Sequence, residues 1–198
     1  MPIRTMQIQT DRDEVERLAG PQMGLRVNLG CGKDIRVGWI NLDKAKLPGV
    51  DVCHDVTHVP LPFATNSCTE VLCKDVLEHL DYLPVLRDIH RILQPGGRVT
   101  IQVPHFTSKD AYSDPTHRTL FTRNTFNYFI GEHFRSYYFD FSFSRITNIH
   151  IHFDRRPGYI YNYFLELLVN STTKVQNFYE GSPLRIFPAT NITVILQK

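Results

Sequence analysis

The sequence predicts an α/β fold built on a doubly wound, mostly parallel sheet. Three observations predict it. Short apolar runs recur at Leu25–Leu29, Trp39–Leu42, Val50–Cys53, Glu70–Cys73 and Arg98–Val103, as strands buried on both faces require. Between the last two, Leu77, Leu80, Leu83, Leu86, Ile89 and Leu93 are spaced by threes and fours, a helical stripe. The first run ends directly on Gly30-Cys31-Gly32, at the carboxyl edge where open α/β sheets bind ligands.

Each element follows from local chemistry. Asp11–Ala19 reads as a short amphipathic helix stopped by Gly20-Pro21. The third strand leads to Asp55. Two prolines make Val59-Pro60-Leu61-Pro62-Phe63 an extended loop, and Asn66-Ser67 is a turn. Pro84 stands near the start of a second helix that divides the stretch from Asp75 to Leu93. Gln94-Pro95-Gly96-Gly97 stops that helix and opens the next strand. Beyond His105 the pattern changes. Thr107 to His117 is a polar loop containing Asp114-Pro115, and Thr122–Phe129 reads as a helix capped by Thr122. Tyr137 to Phe153 alternates through Phe139, Phe141 and Phe143, then Ile149, Ile151 and Phe153, as one interrupted strand or a hairpin. Tyr159–Val169 is a helix and Ile192–Leu196 a terminal strand. The expectation is one domain over residues 1–198, with 1–23 as an extension and 105–188 on the substrate side.

Composition narrows the function. Of 198 residues, 42% are apolar and 21% charged, and the net charge is +2. That balance is ordinary for a soluble globular chain and supplies no basic stripe for nucleic acid. No apolar run approaches the ~18 residues of a membrane span, and the start of the chain lacks the apolar stretch of a signal peptide. Cys31, Cys53, Cys68 and Cys73 have no C-x-x-C spacing and read as reduced thiols of a cytoplasmic protein.

The Gly30-Cys31-Gly32 turn carries the first chemistry. Glycine has no Cβ, so the backbone can approach a bulky ligand. Asp43, at the end of the second strand, can accept hydrogen bonds from both hydroxyls of a ribose. A dinucleotide fingerprint would need a third glycine and an acid about 20 residues further on. Here the next glycine is Gly38, and Asp43 arrives too early. The pattern describes a nucleoside without phosphates.

Four segments in order, Leu29-Gly30-Cys31-Gly32, Asn41-Leu42-Asp43, Val76-Leu77-Glu78-His79-Leu80 and Leu93-Gln94-Pro95-Gly96-Gly97-Arg98, resemble the class I S-adenosylmethionine-dependent methyltransferases. Among these the chain resembles the small type 11 group, and a subgroup with a Lys33-to-Trp39 segment and a later Asp114-Pro115-Thr116-His117. The resemblance implies a Rossmann-like sheet of seven strands, the last antiparallel, and S-adenosylmethionine as cofactor. It implies that Gly30, Cys31 and Gly32 approach the methionine part and that Asp43 takes the ribose. Asp55 and Val56 would border the adenine, and Lys74 and Asp75 the methionine side. In one respect the chain departs from the family. Only Lys33 to Gly38 separates the first two strands, too little for the usual crossover helix.

The loop after the fifth strand supplies acceptor candidates. His105 and His117 are candidate general bases, because imidazole titrates near neutral pH. Tyr112, Asp114 and Arg118 are candidate acceptor-binding residues. The aromatic stretch from Phe106 to Phe164 reads mainly as core, with Tyr112, Phe121 and Tyr128 the candidates to face a substrate. Asp75, Glu78 and His79 share a helical face, and such oxygen-plus-imidazole sets can hold a divalent ion. Family members without metal also carry Leu-Glu-His as a helix-start cap, so no metal is expected. The expected function is methyl transfer to an oxygen of a small molecule or glycan, with no nucleic-acid or membrane partner. The alternative is a non-catalytic cofactor-binding module that docks a partner protein through its aromatic half.

Overall fold

The structure is a computed structural model describing residues 24–131 and 136–198. The expected helix over Asp11–Ala19, and His133, lie outside the described residues. Among the described residues, seven strands form one sheet: β1 (Leu25–Leu29), β2 (Ile40–Asp43), β3 (Val52–Cys53), β4 (Cys68–Lys74), β5 (Leu93–Pro104), β6 (Arg145–Phe153) and β7 (Ala189–Gln197). Their order is β3-β2-β1-β4-β5-β7-β6. The first five pair in parallel, and β7 runs antiparallel to both β5 and β6. This is the expected architecture, with the last strand reversed. The chain changes direction across the sheet between β1 and β4, and the crevice above that switch point is where such sheets seat ligands.

The helices are α1 (Tyr82–Ile92), α2 (Asp110–Ser113), α3 (Tyr161–Val169) and α4 (Thr173–Gly181). In α1, Val85, Leu86, Ile89 and Ile92 are buried against the sheet, so the stripe of leucines and isoleucines faces inward as its spacing requires. A separate 3-10 turn, Leu77–His79, precedes α1, and Pro84 falls in the first turn of α1, as expected. Thr122 begins its helix, with a reciprocal capping box to Thr125, but the helix is 3-10 rather than α.

One reading is corrected. Phe139, Phe141 and Phe143 do not lie in a strand, because β6 begins only at Arg145. Phe139 and Phe141 instead gather around Phe129, at ring distances of 4.9 and 5.9 Å. Their alternation came from packing into an aromatic layer, which constrains burial without requiring strand geometry. α4 has no counterpart among the elements that the sequence predicts. Its first turn is capped by the Thr172 hydroxyl, which accepts from the Val175 amide at 3.2 Å.

The link between β1 and β2 contains turns and no helix. Two buried asparagines hold it. Asn41 accepts from the Arg36 amide at 2.9 Å and donates to the Arg36 carbonyl at 3.1 Å. Asn28 donates to the Asp34 carbonyl at 2.7 Å and to Asn41 at 3.2 Å. These contacts satisfy loop groups that a helix would have paired internally.

Candidate functional site

β1, β2 and β4 deliver their carboxyl ends to a single cleft of about 800 Å³, within the size range of small-molecule sites. Gly30, Asp43, Asp55, Val56 and Asp75 line it. Gly30 has φ +62°, and a Cβ there would stand 2.5 Å from Val76 Cγ2. The glycine lets the chain after β4 cross close over the end of β1. Gly32, at φ +50°, borders open space, with nothing within 4 Å of where its Cβ would be. Asp75 also adopts a left-handed conformation, φ +55°, a strained state for a residue with a side chain. Its amide donates to the Gln102 carbonyl at 2.9 Å.

Gly32 and Asp43 meet directly. Asp43 Oδ2 accepts from the Gly32 amide at 2.8 Å, and Oδ1 from the Ala45 amide at 2.8 Å. A carboxylate has about four lone-pair sites, so each oxygen retains capacity for another donor. Asp55 Oδ1 accepts from the Thr57 amide and hydroxyl at 2.9 and 2.8 Å. The amide first, then the hydroxyl, holds that carboxyl below its usual range against the opposing effect of burial. These carboxylate acceptors and the open space beside Gly32 fit a nucleoside with an adjoining chain.

Other expected residues lie elsewhere. Cys31 is buried, and its thiol is pushed up to about 11, mainly by burial and then by Asp43. Lys74 turns its Nζ to Asp34, 3.6 Å away, so it ties the loop after β1 and does not line the cleft. Phe121 is fully buried, its ring 5.3 Å from Tyr82. Tyr112 faces a second cavity of about 540 Å³ and donates to the Phe106 carbonyl at 2.9 Å.

His105 requires the largest correction. It is fully buried, beneath α4 rather than on the acceptor loop. The Thr107 amide donates to its Nδ1 at 3.3 Å, so its hydrogen lies on Nε2, which donates to Glu180 Oε1 at 3.0 Å. The same oxygen accepts from the Arg123 amide at 2.7 Å. With both ring nitrogens occupied and no solvent contact, His105 anchors α4 to the end of β5. Glu180 lies 75 residues away, too far for local pattern to reveal the pair.

Arg118 and Thr116 do reach the cleft, and so does His79. His117 packs on His79 with ring centroids 4.7 Å apart. The Arg118 amide donates to the Glu78 carbonyl at 2.7 Å, which clamps the loop to the turn after β4. Asp114 lies beside this junction, with Oδ1 accepting from the Thr116 hydroxyl and amide at 2.6 and 2.8 Å. Burial is the main cause that pushes the Glu78 carboxyl up to about 7, with Asp75 and Asp114 adding to it. Burial first, then His117, lowers His79.

Residues 23–101 match the family model described as a methyltransferase domain. With the strand order above, this decides the assignment. Residues 23–101 carry a methyltransferase domain, on the fold of S-adenosylmethionine-dependent methyltransferases. A methyltransferase structure from Archaeoglobus fulgidus is similar over 94% of this chain and 92% of its own, with TM-score 0.57 and 16% identity. Another from Mesorhizobium loti is similar over 93% and 98%, with TM-score 0.51 and 15% identity. Identities this low speak to the fold of the methyltransferase domain. An uncharacterized protein of Methanocaldococcus jannaschii is 40% identical over 92 residues, and the chain spans 40% of its length. Among the described residues, no helix is long and apolar enough to cross a membrane.

Proposed function

We propose that this chain methylates an oxygen of a small-molecule or glycan acceptor, using S-adenosylmethionine. The observation that carries this reading is one continuous cleft, with Gly30, Asp43 and Asp55 along one part and His79, Thr116 and Arg118 along another. When bound, the cofactor supplies a methyl group on positively charged sulfur. The chain's own residues do the rest. Asp43 accepts from the ribose hydroxyls with the lone pairs its amide donors leave free. Asp55 and Val56 border the base, while the backbone at Gly30 to Gly32 and the strained Asp75 border the methionine part. Arg118 and Asp114 orient the acceptor. Placing the reacting atoms in line contributes roughly 7–11 kcal/mol in favourable cases. His117, beside His79, receives the hydroxyl proton, a role worth about 10²–10⁴-fold. His105 has no part in this chemistry.

A second reading, docking of a partner protein, is favoured by the outer face of α3, where Phe164 and Leu167 are each 74% exposed. The test is release of S-adenosylhomocysteine against hydroxylated small molecules, oligosaccharides and a short RNA. Turnover with the first two classes, lost in His117→Ala with cofactor binding kept, is the expected result. Turnover on RNA alone would overturn the acceptor class. Equal turnover by His117→Ala would overturn the base.

A further inference from the structure

We propose that Glu78, His79 and His117 form a binding site for a divalent transition-metal ion in the wall of the cleft. One donor atom from each residue lies within 4.8 Å of the other two. Donors at about 2.0–2.2 Å from a shared ion at tetrahedral angles stand about 3.3–3.6 Å apart, so seating one draws atoms now up to 4.8 Å apart closer by as much as about 1.5 Å. The clamp between the Arg118 amide and the Glu78 carbonyl keeps the two segments at that spacing.

Two independent observations point to a ligand. Glu78 is only 2% exposed, and its Oε2 has no hydrogen-bond partner, although a buried polar atom left unpaired is costly. The imidazoles also hold the tautomers that a cation needs. His117 Nδ1 lies 3.2 Å from the Ala111 carbonyl. A carbonyl can only accept, so the ring hydrogen is on Nδ1 and the lone pair on Nε2. The Thr116 hydroxyl gives its hydrogen to Asp114 at 2.6 Å. It therefore accepts from His79 Nδ1 at 2.7 Å, which leaves the His79 lone pair on Nε2. Metal-bound histidines almost always donate their second N–H to an outer oxygen in this way.

The surrounding charge is consistent with this. Asp75 and Asp114 act on Glu78, and Asp75, Lys44 and Arg118 line the same cleft. The other group of this kind, His150, His152 and Glu166, differs because Arg155 already donates to both Glu166 oxygens, at 3.2 and 2.6 Å. Two imidazoles with one carboxylate suit zinc, manganese, iron or cobalt, whereas magnesium and calcium prefer oxygen. Three protein ligands leave a position open, the mark of catalytic sites.

With an ion bound, His117 would be its ligand and not the base assigned above, so catalytic use of that position would replace that part of the proposed function; the site itself rests on neither. An acceptor oxygen on the ion would lose its proton to solvent rather than to His117. Its lone pair would form the new C–O bond, while the electron pair of the broken C–S bond stays on sulfur.

The test strips the whole chain with a chelator, then titrates it calorimetrically with Zn²⁺ and, separately, Mn²⁺, without cofactor or acceptor. One saturable equivalent is expected, weakened at least 100-fold by Glu78→Gln or His117→Ala. Thr116→Val keeps all three ligands but frees the His79 ring, and about 10–100-fold weaker binding is expected. Circular dichroism checks that each variant folds; if Glu78→Gln does not, His117→Ala and Thr116→Val decide. No saturable binding, or binding unchanged in those two variants, overturns the site. S-adenosylmethionine titrated into the stripped chain reports separately. Cofactor binding without metal binding removes only this proposal, and metal binding without cofactor binding removes only the cofactor assignment.

Discussion

Asp43→Asn is expected to weaken S-adenosylmethionine binding by about 10²–10⁴-fold, measured by calorimetry. The carboxylate already accepts from the Gly32 and Ala45 amides, both at 2.8 Å. Those bonds fix its orientation and leave lone pairs for two hydroxyls. Hydrogen bonds to a charged group are worth about 1.5–3 kcal/mol each, and losing two gives the quoted range. Asparagine preserves the shape but sets an NH₂ group against an amide hydrogen, so it disturbs the turn as well as removing the charge. Asp43→Ala should be at least as damaging. Binding within threefold of the parent in Asp43→Asn would mean that the nucleoside lies elsewhere.

Glu180→Ala should cost about 2–5 kcal/mol of stability, since it strips two buried donors of their acceptor at about 1–3 kcal/mol each. It leaves the His105 Nε2–H and the Arg123 amide without their shared acceptor, both in water-excluded surroundings. Urea denaturation reads the effect as a lower midpoint at unchanged slope. Below that midpoint, cofactor affinity should hold, because neither His105 nor Glu180 lines the cleft. A loss under 1 kcal/mol would show that α4 is anchored by its apolar face alone.

The contrast between these two residues shows what the sequence could disclose. The place of Asp43 beside the glycine turn is legible because that turn lies 11 residues away and strand ends announce themselves through composition. The parallel strands, the stripe of α1 and the Thr122 cap were legible for the same reason: each depends on neighbours a few positions away. His105 was misread because its environment is set by a helix 75 residues later. The convergence of Glu78 and His79 with His117 was equally hidden. It depends on the Asp114-Thr116 turn and one amide-to-carbonyl clamp, neither of which leaves a periodic trace. Lys74 stands at the expected strand end, but an acid on the facing loop captured its side chain.

The missing crossover helix has a consequence for the protein's motions. A helix keeps its shape through bonds to itself, whereas the segment from Lys33 to Gly38 borrows its shape from Asn28 and Asn41, and Val37 within it is 98% exposed. Such a ribbon stays ordered only while the strands beneath it do, and local opening there costs little. The seat beside Gly32 thus has a pliant border, stiffened when a nucleoside fills it. Amide exchange along those six positions should slow on adding the cofactor, and a rate indifferent to ligand would refute the coupling.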